Sequence, residues 1–258
     1  MDLMTLLGFI LGGVAVYLVM WRGEIVYLLF NLDALILVLG GTLASTLIAF
    51  PFATLKEIPK AFRLAFFPRH RESAVHMMEI LVTLSEKSKR SGISGLSEEL
   101  KNIKNRFLKH SLKMLIDGFE SEIIREYMEK EIIYLQQRHQ KVASVFRMMA
   151  TVAPIFGLLG TLIGVVQVLR NITDPVKMGS SMAVAVVTTF YGIFLANFFC
   201  LPVAVKLSEY SEDEIINMQL VSEGINSILN GDVPLITEKK LEAFLSAKLR
   251  EKETAKTG

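Results

Sequence analysis

The sequence predicts an all-α integral membrane protein with four transmembrane helices, a helical cytoplasmic domain between spans two and three, and a helical cytoplasmic tail. Three observations predict it. Mean hydropathy is +0.43, and 52% of the 258 residues are hydrophobic, too apolar for an ordinary soluble domain. Four stretches approach or exceed the roughly 20 apolar residues that cross a hydrocarbon core about 30 Å thick. Charge is also segregated: residues 51–147 hold 18 Lys+Arg and 12 Asp+Glu and residues 206–258 hold 7 and 10, leaving 3 and 4 for the rest.

Residues 3–20 run 18 residues without a charge. Only Met1 and Asp2 precede them, so the basic leader of a signal peptide is missing and the stretch reads as a retained span. The second span, residues 34–50, is entered by Asp33 and stopped by Pro51. The next block, 51–147, opens with Lys56, Lys60, Arg63, Arg69 and Arg71, whereas the connectors 21–33 and 170–177 are short and poor in cations. Lys and Arg collect on the cytoplasmic side, which places this block and both termini there.

Within the block, "LKEIPKAFRLAFFP" sets Leu55, Ile58, Phe62 and Leu64 or Ala65 near one face and cations on the other. Such a helix lies on an anionic membrane surface or packs against the protein, and the pattern suits both. A helix follows over 72–90, then a turn at Gly92 and Gly95, then a second helix carrying Leu96, Leu100, Ile103, Phe107 and Leu108. From Glu120 to Ala153 there is neither Gly nor Pro, enough for about 50 Å of helix running unbroken into span three. Span three covers 148–169. Span four covers 178–205, 28 residues, more than a bilayer needs, so it tilts or continues into water. The segments are therefore 1–50, spans one and two; 51–147, the cytoplasmic domain; 148–205, spans three and four; and 206–258, the tail.

Composition excludes several functions. One cysteine, Cys200, precludes an intrachain disulfide, and four histidines without metal-ligand spacing give no metal site. No span carries paired acids or a Ser/His dyad, so the chain is not read as an enzyme and no resident cofactor is expected. Basic residues are interleaved with acids, which does not suit nucleic acid.

Spans three and four hold the unusual chemistry. At 100° per residue, Pro154, Gly157, Thr161 and Gly164 fall within about 80° of one another, with Leu158, Leu162, Val165 and Leu169 pointing elsewhere. Ser181, Ala185, Thr188, Thr189, Gly192 and Ala196 form a matching stripe on span four. Small residues bring helices close, and Gly160 with Gly164, like Gly8 with Gly12, fits GxxxG, so Gly157, Gly160, Gly164 and Gly192 are candidate packing positions. Two features point beyond packing. Pro154 and Pro202 each free a backbone carbonyl near the cytoplasmic end of a span. The hydroxyl stripe can line a cation route, yet these spans contain no Asp or Glu in their interior, so the acid that binds the ion must come from another chain.

These residues resemble the ion-translocating A subunit of the bacterial flagellar stator, the MotA/PomA family. The resemblance runs through "DALILVLGGTLAS", "VAPIFGLLGTLIGVVQVL", "MAVAVVTTFYGIFLANFFCLPVAVKL" and "EGINSILNGDVPLITEKKLEAFL", nearly the whole chain. It implies five A subunits around two B subunits of MotB/PomB type, whose membrane aspartate supplies the missing acid. Ion flow would turn the ring and act on the rotor switch protein FliG in bacterial motility and chemotaxis, from the inner membrane. By position, Pro154 and Pro202 match the prolines that couple flow to movement, and Thr161 matches a threonine near the ion site. Thr188 and Thr189 match the threonine pair of the sodium-driven branch, as Asp33 matches its acid at the outer end of span two. Sodium needs several oxygen ligands and protons do not, so sodium is favoured. For rotor contact, "KRSGISGLSEE" offers Lys89, Arg90 and Glu98, with Glu99 as substitute, although Ser97 stands where the family has Glu. The rivals are an ExbB/TolQ-like energiser, which has three spans in a different order, and a membrane scaffold without ion flow.

Overall fold

The computed structural model describes residues 3–67 and 73–245. Arg69, Arg71 and the end of the tail, 246–258, lie outside the described residues. Every regular element among the described residues is helical, and four helices are long and apolar enough to cross a membrane. The protein is a multi-pass membrane protein.

Span one is α1 (Leu3–Arg22). The connector that follows includes a 3-10 turn, Val26–Leu29. Asn31 then starts span two by accepting the amide of Ala34 at 2.9 Å, a standard cap for an orphan helix-start N–H. Span two joins α2 (Leu32–Leu35), a π-helical segment Ile36–Gly40 and α3 (Gly41–Ala49). Phe50 is extended and Pro51 follows, ending the span as the proline predicts.

The amphipathic stretch forms α4 (Phe52–Leu55) and α5 (Ile58–Phe66). Of the two readings left open for it, packing accounts for Ala65: with Ile58 and Ala61 it joins Ala143, Phe146, Val203, Ala204 and Leu207 in a small core. Phe62 stays exposed.

Helix α6 (Ala74–Ser91) ends at Gly92, whose φ of +71° is open to glycine at little cost. The second helix differs from expectation. Residues Ile93–Lys101 wind as 3-10 turns, the chain breaks, and α7 (Arg106–Ile116) starts only after Asn105, which accepts the Leu108 amide at 3.0 Å. The expected single helix is thus two pieces with Ile103 in the break between them: the Asn102 amide closes the last 3-10 turn on the Glu99 carbonyl, and the Asn105 side chain caps a new helix start.

Helix α8 is unbroken from Ser121 to Arg170, 50 residues with Pro154 inside it. After a short turn, Asp174 caps α9 (Pro175–Phe194) by accepting the amides of Val176 and Lys177, and those bonds hold its carboxyl below the usual aspartate range. A second π-helical segment, Leu195–Cys200, leads into α10 (Leu201–Leu229), and α11 (Pro234–Glu242) closes the described chain.

The described chain divides into two compact units. The first comprises residues up to 69 with 139–209, and it contains the spans. The second comprises 70–138 with the tail from 210. Its core gathers Met77 and Leu81 of α6, Leu108 and Leu112 of α7, Ile124 and Met128 of α8, Leu220 and Ile225 of α10, and Leu241 of α11. Each such side chain contributes about 1.5–3 kcal/mol by leaving water. Leu81 seats against Gly224, where an added Cβ would lie 2.7 Å from a Leu81 methyl.

Candidate ion-pathway site between spans three and four

Spans three and four run antiparallel and touch backbone to backbone. A Cβ added to Gly157 would lie 2.9 Å from the Thr188 carbonyl, and one on Gly192 would lie 2.6 Å from the Ala153 carbonyl. Gly160 faces the Thr188 side chain and Gly164 faces Ala185, each leaving 2.5 Å for a Cβ. All four glycines therefore sit where any larger residue would push the helices apart. Gly41 of span two makes a comparable seat for Phe156. In the N-terminal GxxxG, Gly12 takes the Phe198 ring while Gly8 has no described atom within 4 Å of its Cβ position.

This close approach brings oxygens together. The hydroxyls of Thr161 and Thr189 are 2.5 Å apart. Thr161 Oγ1 is also 3.1 Å from the Ala185 carbonyl and 3.2 Å from the Gly157 carbonyl, and Thr189 Oγ1 is 3.4 Å from the latter. With Thr188 Oγ1 2.9 Å from the same Ala185 carbonyl, three hydroxyls and two carbonyls lie together, an oxygen-rich chemistry that suits a cation. Thr188 is placed differently: it is fully buried, and its hydroxyl donates within its own helix to Ala185 at 2.9 Å or Val184 at 3.1 Å.

Pro154 is half-buried, its Cα 3.1 Å from the Cβ position of Gly192, and by lacking an N–H it leaves the Ala150 carbonyl without its usual helical donor. Pro202 is exposed. It lies one residue beyond the π-helical segment, and the ladder has already widened there, Leu201 N–H reaching back five residues to Ala196. The wider register accommodates a proline whose ring would otherwise press on the Phe198 carbonyl. Asp33 is exposed in the first turn of span two. Tyr191 lies apart from the hydroxyl cluster and donates to the Leu29 carbonyl, and Asn197 bonds to Ile193 of its own helix.

Two buried hydroxyls were missed from sequence. Thr42 and Thr46 of span two donate to the carbonyls of Val38 and Thr42 at 2.6 and 2.7 Å. Their spacing of four, one face of a helix, was the available signal. Among the described residues no group of three His, Cys, Asp or Glu is placed to hold a metal.

In the second unit, Lys89 and Arg90 occupy the exposed last turn of α6, Arg90 reaching Glu86 only at 3.9 Å. Glu98 is exposed, whereas Glu99 is tied to Lys87 at 2.7 Å, a bond that lowers the Glu99 pKa and raises that of Lys87. Lys87 also stands 3.6 Å from Glu98. This lysine was not anticipated, and it links the end of α6 to the 3-10 segment.

A four-span helical protein whose third and fourth spans meet through glycines around a hydroxyl cluster defines a class of closely packed multi-pass membrane protein. Residues 99–220 match the MotA/TolQ/ExbB proton channel family. The chain is 36% identical over 248 residues to the uncharacterized protein YtxD of Bacillus subtilis, covering 95% of this chain and 91% of that one. It is also 36% identical to Motility protein A of Borreliella burgdorferi, covering 88% and 87%. Its structure superposes on the flagellar MotAB stator complex from Bacillus subtilis with a TM-score of 0.89 at 31% identity, covering 96% of this chain and 97% of that one. The chain belongs to the MotA/PomA family, within the MotA/TolQ/ExbB proton channel family.

Proposed function

We propose that this chain is the ion-conducting A subunit of a flagellar stator, that it carries sodium in preference to protons, and that ion flow drives rotation against the rotor. The observation that carries this reading is the oxygen cluster of Thr161, Thr189 and the Gly157 and Ala185 carbonyls. It supplies neutral ligands, and the charge comes from the aspartate of a B subunit of MotB/PomB type. Thr188 joins the route when its hydroxyl turns from its own helix, Asp33 marks the outer entrance, and Pro154 and Pro202 convert ion passage into helix movement. Five A subunits in the bacterial inner membrane, both termini cytoplasmic, form the ring. Lys89, Arg90 and Glu98, with Glu99 held in reserve by Lys87, act on the rotor switch protein FliG.

The test uses cells lacking their own stator, supplied with this chain and a matching B subunit. Tethered-cell rotation is recorded as external sodium varies at constant pH and membrane potential. Speed that rises and saturates with sodium supports the full reading. Rotation indifferent to sodium keeps the motor and makes it proton-driven, and no rotation refutes the stator reading.

A further inference from the structure

We infer that Asp232 is a positioning residue for rotor contact: seated by a buried chain of hydroxyls, its carboxylate holds the Lys89 ammonium over the tail turn. The inference rests on the reading above that Lys89 acts on the rotor, and it adds a residue of the tail to that surface.

The turn is built where α10 ends. The Gly231 amide bonds to the Ile228 carbonyl and the Asp232 amide to the Ser227 carbonyl, each at 3.0 Å, and the φ of +69° that this closure needs falls on a glycine. Asp232 is thereby turned back over the helix end, where its carboxylate accepts the Ser227 hydroxyl at 2.6 Å and the Lys240 ammonium of α11 at 2.7 Å. From the other side Arg125 of α8 donates to Asn226 at 3.2 Å and to Asn230 at 2.8 Å, so the turn is braced by two neighbouring helices.

A carboxylate accepts only, so it sets the direction of the hydroxyl protons behind it. Ser227 gives its proton to Asp232 and accepts from Thr237 at 3.1 Å. Thr237, its own proton engaged, accepts from Ser85 of α6, also at 3.1 Å. All three hydroxyl residues are at most 1% exposed, so water does not replace a lost partner. Apolar side chains would join α6, α10 and α11 as firmly; a polar chain satisfied in one arrangement fixes their register as well.

Register is what matters for Lys89. It follows Ser85 by four residues, one turn further along the same face of α6, so the bond that seats Ser85 on the tail also lays Lys89 against the turn. Lys89 Nζ stands 3.8 Å from where a Gly231 Cβ would lie. Its charge adds to the bonds from Lys240 and Ser227 that hold the Asp232 carboxyl below the usual aspartate range. Arg90, about 100° further round the helix, takes another direction. A lysine confined before contact loses less freedom on meeting its partner than one that swings freely.

The full chain, purified with its B subunit, is treated with a zero-length carbodiimide and read by peptide mass spectrometry. A linkage of Lys89 to Asp232 should form beside that of Lys240 to Asp232; the Lys240 linkage alone, or neither, overturns the inference. In the same complex Asp232→Asn should raise acylation of Lys89 by an N-hydroxysuccinimide ester about two- to fivefold relative to the remaining lysines, the range of one exposed ion contact, and Asp232→Glu should not. Unchanged labelling in Asp232→Asn overturns it too. Tethered-cell speed then separates positioning from folding. Asp232→Asn should slow rotation, Asp232→Glu should rotate normally, and in a Lys89→Ala chain Asp232→Asn should slow rotation no further. Equal slowing in both backgrounds means that Asp232 only stabilises the tail, and overturns the inference. An unaltered complex that never rotates refutes the stator reading, and the linkage and labelling still decide whether Asp232 seats Lys89.

Discussion

Replacing Gly157 by alanine isolates the cost of holding spans three and four backbone to backbone. The new Cβ would stand 2.9 Å from the Thr188 carbonyl and 3.1 Å from Thr189 Cα, both main-chain atoms that no rotamer change can move. Ordinary contact requires the helices to part by about half an ångström, and overpacking of this kind costs about 1–3 kcal/mol. Alanine also regains about 0.8–1 kcal/mol of helix propensity, which would mask part of the loss. Gly13→Ala provides the reference, because Gly13 lies in α1 with no described atom within 4 Å of its Cβ position, so it collects the same propensity gain without a clash. The difference between the two variants is then the clash alone. At about 2–4 °C per kcal/mol for a chain of this size, it amounts to a gap of about 2–12 °C in Tm. Cys200 makes the assay simple: it is the single cysteine and is buried, so a thiol-reactive fluorogenic dye reports unfolding in detergent. Melting within a degree of each other would refute the claim that this glycine is required by close approach.

Thr161→Val keeps the side-chain shape but removes the hydroxyl shared with Thr189 and Ala185; Tm should fall by less than the equivalent of about 1 kcal/mol while tethered-cell rotation stops, and Thr161→Ser should rotate. Thr188→Val should slow rotation less, since that hydroxyl is already engaged within its helix. Asp232 has its carboxyl held below the ordinary 3.8, first by a hydrogen bond from Lys240 and then by Ser227. A depressed acid stabilises the fold above its unfolded pKa and loses that contribution as pH falls through the folded value, so acid unfolding below about pH 4 should be blunted in Asp232→Asn. Tyr127 is pushed up to about 12 by burial, with Glu131 adding to the rise. Its contribution is complete below pH 10 and fades as pH climbs toward 12, and Tyr127→Phe should flatten that alkaline limb in a melting series.

The sequence by itself determined the spans, because crossing a membrane depends on hydropathy summed along a local stretch, and it determined the unbroken helix through residue 153, because neither Gly nor Pro interrupts it. It also marked the stripe of Gly157, Thr161, Gly164, Thr189 and Gly192, since residues three and four apart share a helix face whatever lies opposite. Only the tertiary structure decided what each face meets. Thr161 and Thr189 bond each other across the two spans while Thr188, adjacent in sequence, reaches the shared Ala185 carbonyl from within its own helix, a distinction set by the register of two antiparallel helices. The π-helical widening before Pro202 and the 3-10 winding at Ile93–Lys101 are changes of backbone register that apolar spacing does not encode. Lys87 between Glu98 and Glu99, and the tail helix α11 closing over α6, arise from contacts between residues far apart in the chain, and such contacts are fixed only when complementary surfaces meet.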